Sequence, residues 1–193
     1  MTTGGARTGG KDQALTRYVA FLRGINVGRN KRIAMADLRT LLSDLGHTDV
    51  ATYLQSGNAV FTSSSRSPAK IGRDLEAGIE REFGMSVSCL VRSVDQLRAV
   101  VAANPLADVA TDGSKYLVTF LSGTPDLEIV GAIDPAEYEP EAFRIIGQEV
   151  YLWCPKGILD SALPKVFSDK QLKLVTTARN WNTVTKLLAL AEN

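Results

Sequence analysis

Arg17-Tyr18-Val19-Ala20-Phe21-Leu22, running directly into Arg23-Gly24-Ile25-Asn26-Val27-Gly28-Arg29-Asn30-Lys31-Arg32, is the stretch on which the fold turns. Its first part puts apolar side chains on both faces of an extended chain, the pattern of a central strand in a covered sheet. Its second part holds four cations, two Asn and two Gly, so the strand ends in a loop built for turning and for positive charge. Beyond the loop, Met35, Leu38, Leu41, Leu42 and Leu45 recur at helical spacing and Gly46 supplies a stop, which predicts an amphipathic helix. Residues 51–55 and 59–63 then read as two short strands around Ser56-Gly57-Asn58, a turn sequence suited to a hairpin. Ser67-Pro68 opens a second helix with Ile71, Leu75, Ile79 and Phe83 on one face. Val87, Cys89 and Val91 alternate with Ser88, Leu90 and Arg92, as in a strand with one better-buried face.

Ser93-Val94-Asp95-Gln96 is a capping box that starts a third helix, which Asn104-Pro105 ends. The order then restarts. Residues 115–121 are strand-like, Thr124-Pro125 caps a helix to about Gly131, and residues 142–146 and 149–154 form a hairpin. Ser161 caps a helix to about Lys170, and residues 172–177 make a short strand. The fold class expected is α+β: two ferredoxin-like β-α-β-β-α-β halves with an added C-terminal helix over residues 180–191. The expected division is a flexible tail over 1–16, a first half over 17–104, a linker over 105–114 and a second half with the C-terminal helix over 115–193.

The chain has 193 residues, 45% hydrophobic and 22% charged, with net charge +1. That balance is globular, and it argues against a surface devoted to nucleic acid, which would be strongly basic. No run is apolar and long enough for a membrane span. Two cysteines without an export signal point to reduced thiols and a cytoplasmic location. Charge is segregated: residues 23–32 carry no acid, whereas residues 124–143 carry six acids and neither Lys nor Arg. The two patches could meet, although a solvated acidic surface is the simpler reading.

Catalytic residue types are sparse. The one histidine, His47, follows a helix end and reads as solvated near the helix dipole. With one His and two Cys no zinc cluster is expected, calcium-loop spacing is absent, and the cofactor expectation is likewise none. Gly24 and Gly28 bracket three residues where a Walker loop needs four, and Gly-Lys-Ser/Thr does not occur. Cys89 and Cys154 alternate into apolar faces, so packing outweighs nucleophilic use. Trp181, Tyr151 and Trp153 read as core. Arg179, a fork-shaped donor at a helix start, is the stronger functional candidate near the C-terminus.

Residues 18–28 (YVAFLRGINVG), 53–61 (YLQSGNAVF) and 179–187 (RNWNTVTKL) together resemble the bacterial family known as domain of unknown function 1697. The resemblance runs over about residues 17–192 and implies two ferredoxin-like halves. It implies no activity, since the family has no established substrate or catalytic residues. This chain has Ser161-Ala162-Leu163 where the family often shows Ser-Lys-Leu, so no role attaches to that lysine here.

The functional expectation is a binding module for a small anionic or phosphorylated ligand, seated by Arg23, Asn26, Arg29, Gln55, Asn58 and Arg179. Nucleic-acid binding is the alternative, weakened because Asn58-Ala59-Val60-Phe61 lacks the aromatic pattern that stacks bases. An enzyme whose acid or base cannot be located in the sequence is the third reading. A partner-binding role would draw on the acidic segment 124–143. No membrane partner is expected, and oligomeric state is open.

Overall fold

A computed structural model describes residues 14–26 and 32–193. The expected 1–16 tail lies almost wholly outside the described residues, as does Arg29 of the basic loop. The first half runs β1 (Thr16–Leu22), α1 (Met35–Asp44), β2 (Thr48–Tyr53), β3 (Asn58–Ser63), α2 (Pro68–Phe83), β4 (Cys89–Ser93) and α3 (Val94–Ala103). The second runs β5 (Tyr116–Leu121), α4 (Leu127–Gly131), a 3-10 turn (Pro135–Tyr138), β6 (Ala142–Ile146), β7 (Glu149–Trp153), α5 (Leu163–Val166), α6 (Asp169–Leu172), β8 (Thr176–Asn180) and α7 (Trp181–Glu192). Each half makes a four-stranded antiparallel sheet, in the orders β2-β3-β1-β4 and β6-β7-β5-β8. That shared order is the ferredoxin-like topology, and the fold is α+β.

Local chemistry explains the element ends. Ser67 accepts from the Lys70 N–H at 3.2 Å and Pro68 occupies the first turn of α2. Ser93 and Gln96 cap α3 reciprocally, and Asn180 accepts from the Thr183 N–H at the start of α7. Caps at these positions satisfy N–H groups left free by the first helical turn. Each half therefore ends in the same device: an edge strand that runs without a loop into a capped helix.

Strand alternation sorts the apolar side chains into three cores. Tyr18, Ala20, Leu22, Phe61, Cys89 and Val91 face α1 and α2. Leu117, Leu121, Val150, Leu152 and Cys154 face the short helices of the second half. Between the sheets, Val19, Phe21 and Leu90 of one meet Val118, Phe120 and Tyr151 of the other, together with α3 and α7. At its centre the rings of Phe21 and Phe120, both fully buried, stack with centroids 4.2 Å apart. The Arg98 Nε on α3 also meets Glu192 on α7 at 2.8 Å.

Several expectations need correction. His47 is buried, not solvated: its ring lies 4.7 Å from that of Phe61, and neither ring nitrogen has a hydrogen-bond partner. Burial holds its pKa below the ordinary value of 6.5, with Asp74 opposing and Lys70 adding to the shift. The helix from Ser161 to Lys170 is two four-residue helices, and Asp126 rather than Thr124 caps α4. Segment 124–143 makes α4 and the 3-10 turn, neither with a buried residue, and enters β6 at Ala142. The last strand lies at Thr176–Asn180 rather than over 172–177, so it takes in Arg179, which directly precedes the cap of α7. β4 is buried on both faces, because its second face meets the other half.

Candidate functional site

The stacked phenylalanines lie between two arginine clusters that mirror one another. In β5, Val118 pairs with Arg179 of β8; in β1, Val19 pairs with Arg92 of β4. Each arginine then reaches across into the opposite half. Arg179 donates from Nη2 to the Leu22 carbonyl at 2.8 Å and from Nε to Asn58 Oδ1 at 2.6 Å. Arg92 donates from Nη2 to the Leu121 carbonyl at 2.8 Å and from Nε to Glu149 Oε1 at 2.8 Å. Leu22 and Leu121 end equivalent strands, and Asn58 and Glu149 begin equivalent strands. Each guanidinium also sits 5.7 Å from the opposite half's phenylalanine ring, Arg179 over Phe21 and Arg92 over Phe120. Reciprocal contacts of this kind are the mark of a two-fold interface, here within one chain.

The mirror extends to the sheet edges. Glu76 Oε1 accepts from the Cys89 N–H at 2.7 Å, and Asp169 Oδ1 accepts from the Thr176 N–H at 2.9 Å. Cys89 and Thr176 occupy equivalent edge positions, opposite Leu22 and Leu121. A carboxylate thus ends pairing at both edges, which protects them from a further strand. Gly72 lets α2 cross β4 closely, since a Cβ there would come within 2.9 Å of the Cys89 carbonyl.

Symmetry breaks at the residue facing each arginine. Arg92 is nearly buried and paired with the carboxylate of Glu149. Arg179 faces the neutral amide of Asn58, and no carboxylate pairs with it among the described residues. All five of its N–H bonds are engaged, the others going to Thr177 Oγ1 and to the Ala178 and Ser56 carbonyls at 2.8–3.2 Å. Burial without a counter-charge pushes its pKa down to about 10. Positive charge there is satisfied in hydrogen bonds and unbalanced in electrostatics.

Of the residues picked from the sequence, Asn58 contacts Arg179, and Asn26 joins the same hairpin through the Gln55 backbone. Asn58 is fully buried and donates to the Tyr53 carbonyl and to Ser56 Oγ, both at 3.0 Å. Asn26 donates to the carbonyls of Ile33 at 2.9 Å and Gln55 at 2.7 Å and accepts from the Ile33 N–H at 3.0 Å, so it ties both ends of the basic loop to the hairpin. The Gln55 side chain is exposed, and only its backbone joins this network. Gly57 passes so close to the first strand that a Cβ would come within 2.8 Å of Ile25 and Leu22, at a φ of +80 that favours glycine. Arg23 is half-exposed and ion-paired to Asp169, which lies outside the acidic segment 124–143. Arg29 lies outside the described residues.

Sequence reading missed Arg92 and Glu149. The signal available was the frame Val-x-Phe-Leu-x-Gly, shared by residues 19–24 and 118–123, together with an arginine directly before each helix cap, Arg92-Ser93 and Arg179-Asn180. Both cysteines are buried and free, and burial raises both thiols. Trp181 stacks on Tyr116 at 4.9 Å, and Tyr151 and Trp153 are buried in the central core. No group of three His, Cys, Asp or Glu among the described residues could hold a metal ion. No helix among them is long and apolar enough to cross a membrane.

Comparison with known proteins places the chain. A family model described as protein of unknown function, DUF1697, matches residues 15–151. The chain belongs to this family. The matched span takes in Arg92 and Glu149 and stops before Arg179. A solved structure, that of the conserved bacterial protein SP0830 from Streptococcus pneumoniae, aligns with TM-score 0.74 and 24% identity. The alignment covers 92% of this chain and 99% of that one, so it shows a shared fold. A comparison with curated proteins finds no match.

Proposed function

We propose that this DUF1697 protein binds a small anionic or phosphorylated ligand at the Arg179 end of the interface between its halves. One observation carries the reading: of two arginines in equivalent positions, Arg92 has Glu149 as counter-ion and Arg179 has none among the described residues. A partly desolvated cation without a partner lowers its energy when an anion settles nearby. Arg179 supplies charge, since its N–H bonds are engaged. The donor the structure offers is half-exposed Arg23, with Asn26 and Asn58 fixing the hairpin beside it, and Arg29, outside the described residues, is the second donor the sequence offers.

Nucleic acid is the weaker occupant. Base-stacking platforms need an open sheet face, and both faces of each sheet carry buried side chains. Calorimetric titration with inorganic phosphate and with a sugar phosphate tests the proposal. Saturable binding that weakens with salt is expected, with a loss of about tenfold or more in Arg23→Ala and in Arg29→Ala while the thermal midpoint moves little. Absence of binding by either probe, or unchanged affinity in both variants, would refute it.

A further inference from the structure

The mirrored end holds a cleft. About 380 Å³ of space opens beside Arg92, between α2 and the loops of the second half, where Ser122 and Val175 lie. At the Arg179 end a longer side chain takes the position of Ser122. Arg23 follows β1 as Ser122 follows β5: the Arg23 N–H bonds the Ser88 carbonyl at 2.9 Å, and the Ser122 N–H bonds that of Val175 at 3.0 Å. Arg23 extends to Asp169, whereas Ser122 is too short to reach Glu76, the residue equivalent to Asp169. A small residue at this one position leaves the cleft open.

Donors predominate on its lining. Among the described residues Arg92 engages three of its five N–H bonds, to Val91, Leu121 and Glu149, and so keeps two uncommitted on a side chain only 8% exposed. Arg73, also on the lining, has no ion-pair or hydrogen-bond partner among the described residues, and neither has the Gln148 side chain. Ser67 and Ser122 accept backbone N–H bonds and keep their hydroxyl protons, and Gln96 accepts through Oε1 and keeps its amide protons. Against these donors stand Gln148 Oε1 and the second oxygen of Glu76. Leu90, Val91 and Val175 add apolar wall.

Charge bounds the occupant further. Glu149 neutralises Arg92, and Glu76 adds a negative charge to a lining that also holds Arg73, so a multiply charged phosphate gains little here, while the two coplanar oxygens of a single carboxylate match the fork of a guanidinium at the cost of one charge. We infer that this cleft is a second binding site, for a small monocarboxylate with a short apolar body. It is separate from the Arg179 site and does not depend on it.

The test is titration of the full chain with 2-methylpropanoate, its neutral amide and inorganic phosphate, followed by calorimetry or by amide chemical shifts. The carboxylate should bind saturably, about tenfold or more tighter than either other probe. Arg73→Ala should weaken it about tenfold, and Arg23→Ala should leave it unchanged. Ser122→Arg puts into the cleft the long side chain that meets Asp169 at the other end and should abolish binding; Gln148→Ala, which removes a lining amide, should weaken it and gives a second reading if Ser122→Arg does not fold. No saturable carboxylate binding, equal affinity for the amide, or full binding by folded Ser122→Arg would overturn the inference. Loss of carboxylate binding through Arg23→Ala would instead put the ligand at the other end and overturn it as well.

Discussion

The Arg92 and Arg179 clusters share a scaffold and differ in their electrostatics. In both, an arginine on an edge strand crosses to the other half, lies by a phenylalanine ring and donates to the last carbonyl of the opposing central strand. At one end Glu149 neutralises the cation and two N–H bonds stay open; at the other Asn58 leaves the charge unbalanced and every N–H is taken. The facing residue, Glu149 or Asn58, sets the charge at each end, and the residue after the central strand, Ser122 or Arg23, sets how much side chain stands there. The scaffold joins the halves, and the departures from symmetry make the two ends chemically different.

The largest effect expected is on the element both ends share. Phe21→Ala and Phe120→Ala should each lower stability by about 3–5 kcal/mol, since each removes a fully buried ring from one stack. Urea denaturation should give one transition for both variants with similar losses. Two separated transitions would break the comparison, because the halves would then be independent.

Next comes the charge difference. Glu149→Gln keeps an acceptor for Arg92 and removes its counter-ion, so the Arg92 end comes to resemble the Arg179 end. A loss of about 1–3 kcal/mol is expected, below the cost of deleting a partner outright. Arg23→Ala, which breaks a half-exposed ion pair, should cost less than about 1 kcal/mol. Equal losses in the two variants, by equilibrium denaturation, would mean that Glu149 is not the counter-ion that distinguishes the two ends.

Much of the fold was legible and the pairing between halves was not. The central strand at Val19–Phe21, the α2 cap at Ser67-Pro68 and the Ser93/Gln96 box are local signals, set by residues within a few positions of one another. Arg92 was read as the polar side of an alternating strand, because an arginine is exposed unless paired, and its partner Glu149 lies 57 positions away. No periodicity encodes that contact. Arg179 stood out through its motif, yet the strand around it was placed too early, since Thr176-Thr177-Ala178 has little apolar alternation. Gly46 marks a helix end, where a histidine is ordinarily solvated, but here the next residue, His47, is buried.

His47 gives the smallest effect and sharpens the contrast between halves, since no histidine stands in the second. Its folded pKa lies below 6.5, so the unfolded chain binds the proton more readily. The contribution is complete above the ordinary histidine value and falls away as pH drops from about 6.5 toward the folded value. His47→Phe should flatten that part of the stability profile without altering the rest. An identical pH profile in the variant would show that the ring does not titrate on unfolding.

The central claim is that the residue facing each arginine decides which end takes a phosphate. The direct measurement is the thermal midpoint against phosphate concentration for the wild type and for Asn58→Asp, with Arg73→Ala as the control for the opposite cleft. The wild type and Arg73→Ala should gain stability with phosphate as binding to the folded state requires, and Asn58→Asp, with its charge balanced from within, should gain none. A parallel rise in wild type and Asn58→Asp, or no rise in the wild type, would contradict the account.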